Sequence, residues 1–294
     1  MTVTQPTTTH TLEVPGATLT YDVRPNPAST EPPLFLIGSP MAAPGFATLL
    51  THFPDRTIVT YDPRGSERSV LHDPASRVGP EEHSDDLHRV IEAVGGPVDV
   101  FASSGGAVNL LALVATHPTD VRIGVAHEPP LASIVPDREH ALAASRAVHE
   151  TYMRGGFNAG MAHFIAVVSH RGPFTAEIAA QPGPDPQMFG MPAADDGTRD
   201  DAMLGPNKAI LTVTSYEPDV EALRSAPTRL VVAVGEESEG ELARRGGEAI
   251  AERLGQEPVV FPSGHGGFLG GEYGQMGAPD AFAARLREVL AQNA

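Results

Sequence analysis

The chain has 294 residues, 20 lysines and arginines against 37 aspartates and glutamates for a formal net charge of −17, and no cysteine. The missing thiols exclude disulfides, thiolate metal centres, iron–sulfur clusters and a cysteine nucleophile. The acid excess disfavours nucleic acid and anionic membrane as partners, because phosphate binding is dominated by Lys and Arg.

A hydrophobic content of 41% is ordinary for a globular chain of one large domain or two small ones. No apolar run approaches the ~18 residues of a membrane-spanning helix. The first ten residues, MTVTQPTTTH, lack the basic and apolar regions of a secretory signal, so a frayed end and a cytoplasmic location are expected.

Two short strands are expected over 11–23 around the turn pair Pro15-Gly16. The apolar runs at 33–38 and 57–62 have strand length, and the MAAPGFATLLTHF stretch between them suits a helix. Residues 79–96 predict a helix, with Pro80 at its start, acids in its first turns and glycines at its end. A strand follows at 97–102, a helix at 104–118 and another strand at 121–128. Strands that are apolar on both faces and alternate with helices indicate a mostly parallel sheet covered on both sides.

The rhythm breaks after residue 130. Residues 131–225 contain two helical stretches and a Pro/Gly/Asp-rich loop over 181–206, but no strand pattern. Strands resume at 228–235 and 257–262, with helices at about 240–254 and 279–292. The reading is an α/β core of residues 1–130 and 226–294 that carries a helical cap or lid over 131–225. Met153, Met161, Met188, Met191 and Met203, five of the eight methionines, fall in that cap and suit an adaptable apolar pocket or an irregular core.

The chemistry is concentrated in Val98-Asp-Val-Phe-Ala-Ser-Ser-Gly-Gly-Ala107. A strand that enters a helix through a turn of small residues projects one side chain at the sheet edge, above the N–H groups of the helix start. In the A-x-S-x-G frame the exposed hydroxyl is Ser104; in the alternative frame, which begins at Phe101, it is Ser103. Of the twelve histidines, His265 follows the last predicted strand within a glycine-rich loop, where its imidazole can swing over the elbow. The orienting acid is expected at Glu128, which ends the strand after the elbow and precedes two prolines; Glu236 and Glu237, after the next strand, are the rivals. An oxyanion needs two donors. They are expected at the N–H groups of Gly105 and Ser39, with Gly38 as the alternative to Ser39.

These motifs resemble the α/β-hydrolase superfamily over nearly the whole chain. Tyr61-Asp-Pro-Arg-Gly-Ser-Glu-Arg-Ser69 is similar to its YDxRGxGxS segment, and Ile37-Gly-Ser-Pro40 to its H-G-x-P loop with Ile in place of His. The combination of SSG, HE-P-P and a late His is similar to zearalenone-type lactone hydrolases. That resemblance implies an acid at the position of Glu128. Ala102 replaces the first elbow glycine, and the cap matches nothing specific.

The expectation is an α/β-hydrolase fold whose Ser104, His265 and Glu128 cleave an ester or lactone of a fairly apolar small molecule through an acyl-enzyme. A cofactor-free oxygenase, lyase or rearrangement enzyme, and a non-catalytic binding protein, are the alternatives. Glu81, Glu82, His83, Asp85, Asp86 and His88 read as a solvated acidic helix start rather than a metal site. No nucleotide, flavin or metal cofactor is expected, and no nucleic acid or membrane partner; the sequence allows a homodimer.

Overall fold

The computed structural model describes residues 6–194 and 197–292. Nine strands form one sheet: β1 (Thr8–Val14), β2 (Ala17–Arg24), β3 (Leu34–Ile37), β4 (Ile58–Asp62), β5 (Val70–Leu71), β6 (Val98–Ser103), β7 (Val121–His127), β8 (Arg229–Gly235) and β9 (Val259–Phe261). The order is β1-β2-β4-β3-β6-β7-β8-β9, with β5 paired to β2. β1–β2, β2–β4 and β2–β5 are antiparallel, and every other pair is parallel.

The helices are α1 (Pro80–Val94), α2 (Gly105–Thr116), α3 (Arg138–Val168), α4 (Ala176–Ala179), α5 (Ala209–Thr212), α6 (Val220–Ser225), α7 (Leu242–Leu254) and α8 (Pro279–Ala291). They cover both sheet faces, which is why every residue of β6 is buried. One face packs Val100, Ala102 and Phe35 against Leu110, Leu87 and Ile250. The other packs Phe101, Leu36 and Val125 against Phe282 and Leu286 of α8. Asp99, a charge within β6, is fully buried. Arg56 (2.7 Å) and Arg122 (2.6 and 2.8 Å) satisfy it from neighbouring elements, as a buried carboxylate requires.

Three sequence expectations change. Residues 8–10 are not frayed: β1 pairs with β2 from Thr8↔Val23 onward, while residues 1–5 lie outside the described part. The stretch 41–53 is not one helix but two 3-10 turns, Ala43–Phe46 and Leu49–His52. Pro44 and Gly45 interrupt it, and the Met41 side chain fills the space a β-carbon at 45 would need. β5 was not anticipated, being only two residues long.

Between β7 and β8 the chain has helices and turns but no strand among its described residues; of the 181–206 loop, residues 195–196 lie outside the description. α3 breaks at Gly156 (φ 79°, ψ −171°), a conformation left to glycine. Around it Tyr152, Val148, Leu204 and Ile210 form a separate small core.

The start of α2 lies against the end of β3. A β-carbon at Gly106 would sit 2.5 Å from the Ile37 carbonyl oxygen, and one at Gly105 would collide with the Ser39 carbonyl. At Gly124 an added β-carbon meets only side-chain methyls, those of Leu110 at 3.3 and 3.4 Å and of Val121 at 3.5 Å. Gly106→Ala is therefore expected to lose about 1–3 kcal/mol, as overpacking does, and Gly124→Ala clearly less. Urea unfolding of the two variants checks this through their midpoints at unchanged slope.

Candidate active site

β6 ends in Ser103, and α2 begins at Gly105. The residue between them, Ser104, is held at φ 58° and ψ −126°, a sparsely populated conformation that costs on the order of 1–3 kcal/mol. Its N–H donates to the His127 carbonyl (2.9 Å), and its own carbonyl accepts from Ala107 and Val108. The two serines separate here. Ser103 is buried (2% exposed), with its hydroxyl 3.3 Å from His127 Nδ1. Ser104 is half-buried and stands at the carboxyl edge of the sheet.

The close approach of Gly105 to Ser39 brings the loop after β3 to the same edge. Neither the Ser39 nor the Gly105 N–H donates to an acceptor among the described residues. Both N–H groups thus stay available beside Ser104.

Glu128 follows β7, is fully buried and has φ 50°. Its N–H donates to the Ala233 carbonyl (2.9 Å), its Oε1 accepts from Gly235 N (2.8 Å), and its Oε2 accepts from His265 Nδ1 (2.6 Å). An ionised carboxylate only accepts, so the proton sits on Nδ1 and Nε2 is left as the base. No hydrogen bond joins Ser104 to His265; such contacts tighten in the substrate complex. His265 sits in a loop that needs glycine, since a β-carbon at 267 would lie 2.7 Å from the Pro262 carbonyl. Glu236 and Glu237 are exposed and make no hydrogen bond to His265. Geometry therefore brings Glu128, and not its rivals, to the imidazole.

No family model matches the chain. Among solved structures, a thermophilic esterase from Thermogutta terrifontis is similar over 97% of this chain and 98% of that one, at 18% identity and a TM-score of 0.62. MGS-M2, an α/β hydrolase from a Medee basin deep-sea metagenome library, is similar over 97% and 98% of the two chains, at 14% identity and a TM-score of 0.69. The uncharacterized hydrolase YraK of Bacillus subtilis (strain 168) is 30% identical over 265 residues, which span 88% of this chain and 89% of YraK. The chain belongs to the same hydrolase family as YraK, and its fold is that of the α/β hydrolases.

Sequence reasoning passed over His127 in this hydrolase. Its ring is fully buried among Phe101, Phe261 and Phe282, at 5.3 to 6.0 Å, and lies 6.2 Å from the His265 ring. Burial pushes it down to about 4, against the pull of Glu128, so it stays neutral. Among the described residues its Nε2 has no hydrogen-bond partner. The signal is a polar residue that ends the apolar run Ile123–Ala126. A second link missed by the sequence is Glu272, which accepts from Thr48 N and Gly270 N, both at 2.6 Å, and so ties the segment after His265 to the 3-10 turns.

The acidic start of α1 does not gather into a metal site. Glu81 and Glu82 pair with Arg77, Asp86 pairs with Arg64, and His83 is buried. His88 alone of that group joins a cluster of ligand-type side chains, with His117 and Asp120. Two surface cavities, about 520 Å³ beside Arg245 and about 270 Å³ beside Lys208, are not lined by Ser104, Glu128 or His265.

The electrostatics of Glu128 and His265 work as a unit. Burial raises the carboxyl, but the hydrogen bond from His265 and the neighbouring imidazoles overturn that and take it down to about 2. Burial lowers the His265 imidazole, and the Glu128 hydrogen bond and charge raise it above its ordinary 6.5. A depressed carboxyl stabilises the fold above its ordinary 4.5, an effect lost as pH falls toward 2. A raised imidazole stabilises it fully below 6.5, an effect lost as pH rises through the folded value. The stability gap between the parent and Glu128→Gln is therefore expected to be widest between about 4.5 and 6.5. Chemical unfolding of both proteins across pH measures it; a gap that keeps widening above neutrality contradicts the pairing.

Proposed function

We propose that this hydrolase cleaves an ester or lactone of a fairly apolar small molecule through Ser104, His265 and Glu128. The observation that carries the reading is the buried Glu128 carboxylate, hydrogen-bonded to His265 at 2.6 Å on the strand beside the elbow. That pairing supplies an imidazole fixed in one tautomer, which an unactivated serine hydroxyl requires.

In this mechanism Ser104 Oγ attacks the carbonyl carbon while His265 Nε2 takes its proton. The carbonyl electrons move to oxygen, and the N–H groups of Ser39 and Gly105 stabilise the oxyanion at the positive end of α2. Collapse expels the alkoxide, which takes the proton from His265; in a lactone it remains tethered to the acyl group. Water, deprotonated by His265, then releases the acid and restores Ser104. Glu128 stabilises the imidazolium formed in both halves. The segment 131–225 acts as a cap over this edge; of its methionines, Met161 and Met203 pack against the small core around Tyr152 and Leu204. The similarity to the Thermogutta esterase and the motif resemblance to zearalenone-type lactone hydrolases support an ester or lactone as substrate class.

A fluorophosphonate probe is expected to label Ser104, with the label lost in His265→Ala. On a panel of p-nitrophenyl esters and lactones, Ser104→Ala should leave only the ~10³–10⁴ over water that oxyanion donors and binding supply. Glu128→Gln should drop kcat by roughly 10⁴, and Glu236→Gln and Glu237→Gln should leave it near the parent value. Label on Ser103, or parent-level turnover by Ser104→Ala, overturns the assignment.

A further inference from the structure

At the sheet edge opposite Ser104, three separate elements converge. His88 lies on the exposed face of α1, His117 ends α2, and Asp120 sits in the turn that enters β7. α2 alone separates this place from Ser104, by about 18 Å for its twelve residues. His88 Nδ1 lies 2.7 Å from Asp120 Oδ2, and the two imidazoles stack with centroids 3.9 Å apart and planes 8° from parallel. One ligand atom from each of His88, His117 and Asp120 falls within 4.8 Å of the others.

Two further carboxylates flank the pair. Asp85 Oδ1 is 3.4 Å from His117 Nε2, and Glu92 Oε2 is 3.6 Å from His88 Nε2. Among the described residues, none of the three carboxylates pairs with a Lys or Arg; each has only an imidazole opposite it. Three carboxylates thus face two imidazoles and no Lys or Arg, an arrangement short of fixed positive charge.

The backbone that carries these groups is held firmly. Ser84 Oγ and Thr116 Oγ1, 2.6 Å apart, join α1 to α2 beside the cluster. The turn is closed by Asp120 N on the His117 carbonyl (3.2 Å), and Thr228 Oγ1 donates to the carbonyls of Pro118 (3.1 Å) and Val121 (2.7 Å). The side chains are half-buried, at 28% exposed for His88, 24% for His117 and 14% for Asp120. They are therefore reachable by an ion from solvent.

We propose that His88, His117 and Asp120 bind a divalent transition-metal ion of the Zn²⁺ class, which pins α1 to the turn between α2 and β7. Two imidazoles and a carboxylate are the donor set that suits Zn²⁺, Ni²⁺ or Cu²⁺, whereas Mg²⁺ and Ca²⁺ prefer oxygen alone. Zinc bonds of about 2.0–2.2 Å place donors roughly 3–3.5 Å apart. Side-chain rotation closes the remaining gap. Parallel rings cannot both hold one ion in their planes, so binding tilts them apart. Asp85 and Glu92 then stand as the outer carboxylates that orient metal-bound imidazoles. Because the ion joins elements distant in sequence and binds only the folded chain, it raises stability by mass action.

The test is titration of ZnCl₂ into tag-free, chelator-treated full-length protein by calorimetry, paired with thermal unfolding. The expected result is one Zn²⁺ per chain, a Tm that rises with zinc and not with Mg²⁺, and affinity at least ~10-fold weaker in His88→Gln, His117→Gln and Asp120→Asn. The metal-free Tm of each variant separates lost ligation from lost folding: the zinc-induced rise in Tm should shrink even where the metal-free Tm is unchanged. Absence of saturable zinc binding overturns the proposal, as does binding of parent affinity in the His88→Gln/His117→Gln double variant.

Discussion

The carbonyl oxygens of Ile37 and Ser39 occupy the space where residues 106 and 105 would carry their β-carbons. This contact between two backbones makes the end of β3 and the first turn of α2 one rigid unit. It explains why positions 105 and 106 are glycines, and why the loop that carries Ser39 comes to the same edge as Ser104. The missing first glycine of the elbow motif is harmless for a related reason. Ala102 lies in the parallel ladder between Ile37 and Ala126, and its methyl group is absorbed into the core. Only the side of the turn that faces β3 is too close for a β-carbon.

The second organising element is a buried charge. Glu128 is removed from water, which alone favours its neutral form. Hydrogen bonds from Gly235 and His265 reverse that preference. The arrangement needs all three partners at once: β8 supplies the amide, the loop after β9 supplies the imidazole, and β7 supplies the carboxylate at a left-handed φ of 50°. His127, neutral and packed in phenylalanines, fills the space beneath without adding a competing charge.

The sheet was legible in the sequence wherever strands are covered on both faces, because runs such as Val98–Ser103 and Val121–His127 are almost wholly apolar. Helices α1, α7 and α8 were legible through their proline or glycine boundaries and periodicity. Only the second half of β1 was, through the Pro15-Gly16 turn: Thr8, Thr9 and His10 are exposed, and backbone pairing to β2 alone defines them as strand. The stretch 41–53 has helical composition, but Pro44 and the tight seat of Gly45 on Met41 restrict it to short turns. At the site, the elbow and the glycine-flanked His265 show as local patterns. The partner of His265 does not, since acids follow two successive strands and only burial separates Glu128 from Glu236 and Glu237. The His88–His117–Asp120 cluster is less visible still, because it is assembled from three elements that no spacing rule links.

Placing the carboxylate at the end of β7 has a consequence for the neighbouring strand. β8 contributes to the pairing through the Ala233 carbonyl and the Gly235 amide, and position 235 is kept to glycine, since a β-carbon there would lie 2.8 Å from the Ser263 carbonyl oxygen. The turn beyond it holds the loop of His265 by its backbone: Glu236 N donates to the Phe261 carbonyl (3.0 Å), Glu237 N donates to the Ser263 carbonyl (3.1 Å), and Ser238 is fully buried. The length of this turn is therefore tied to the position of the imidazole, while exposed positions such as Glu236 and Glu239 can change their side chains without moving it.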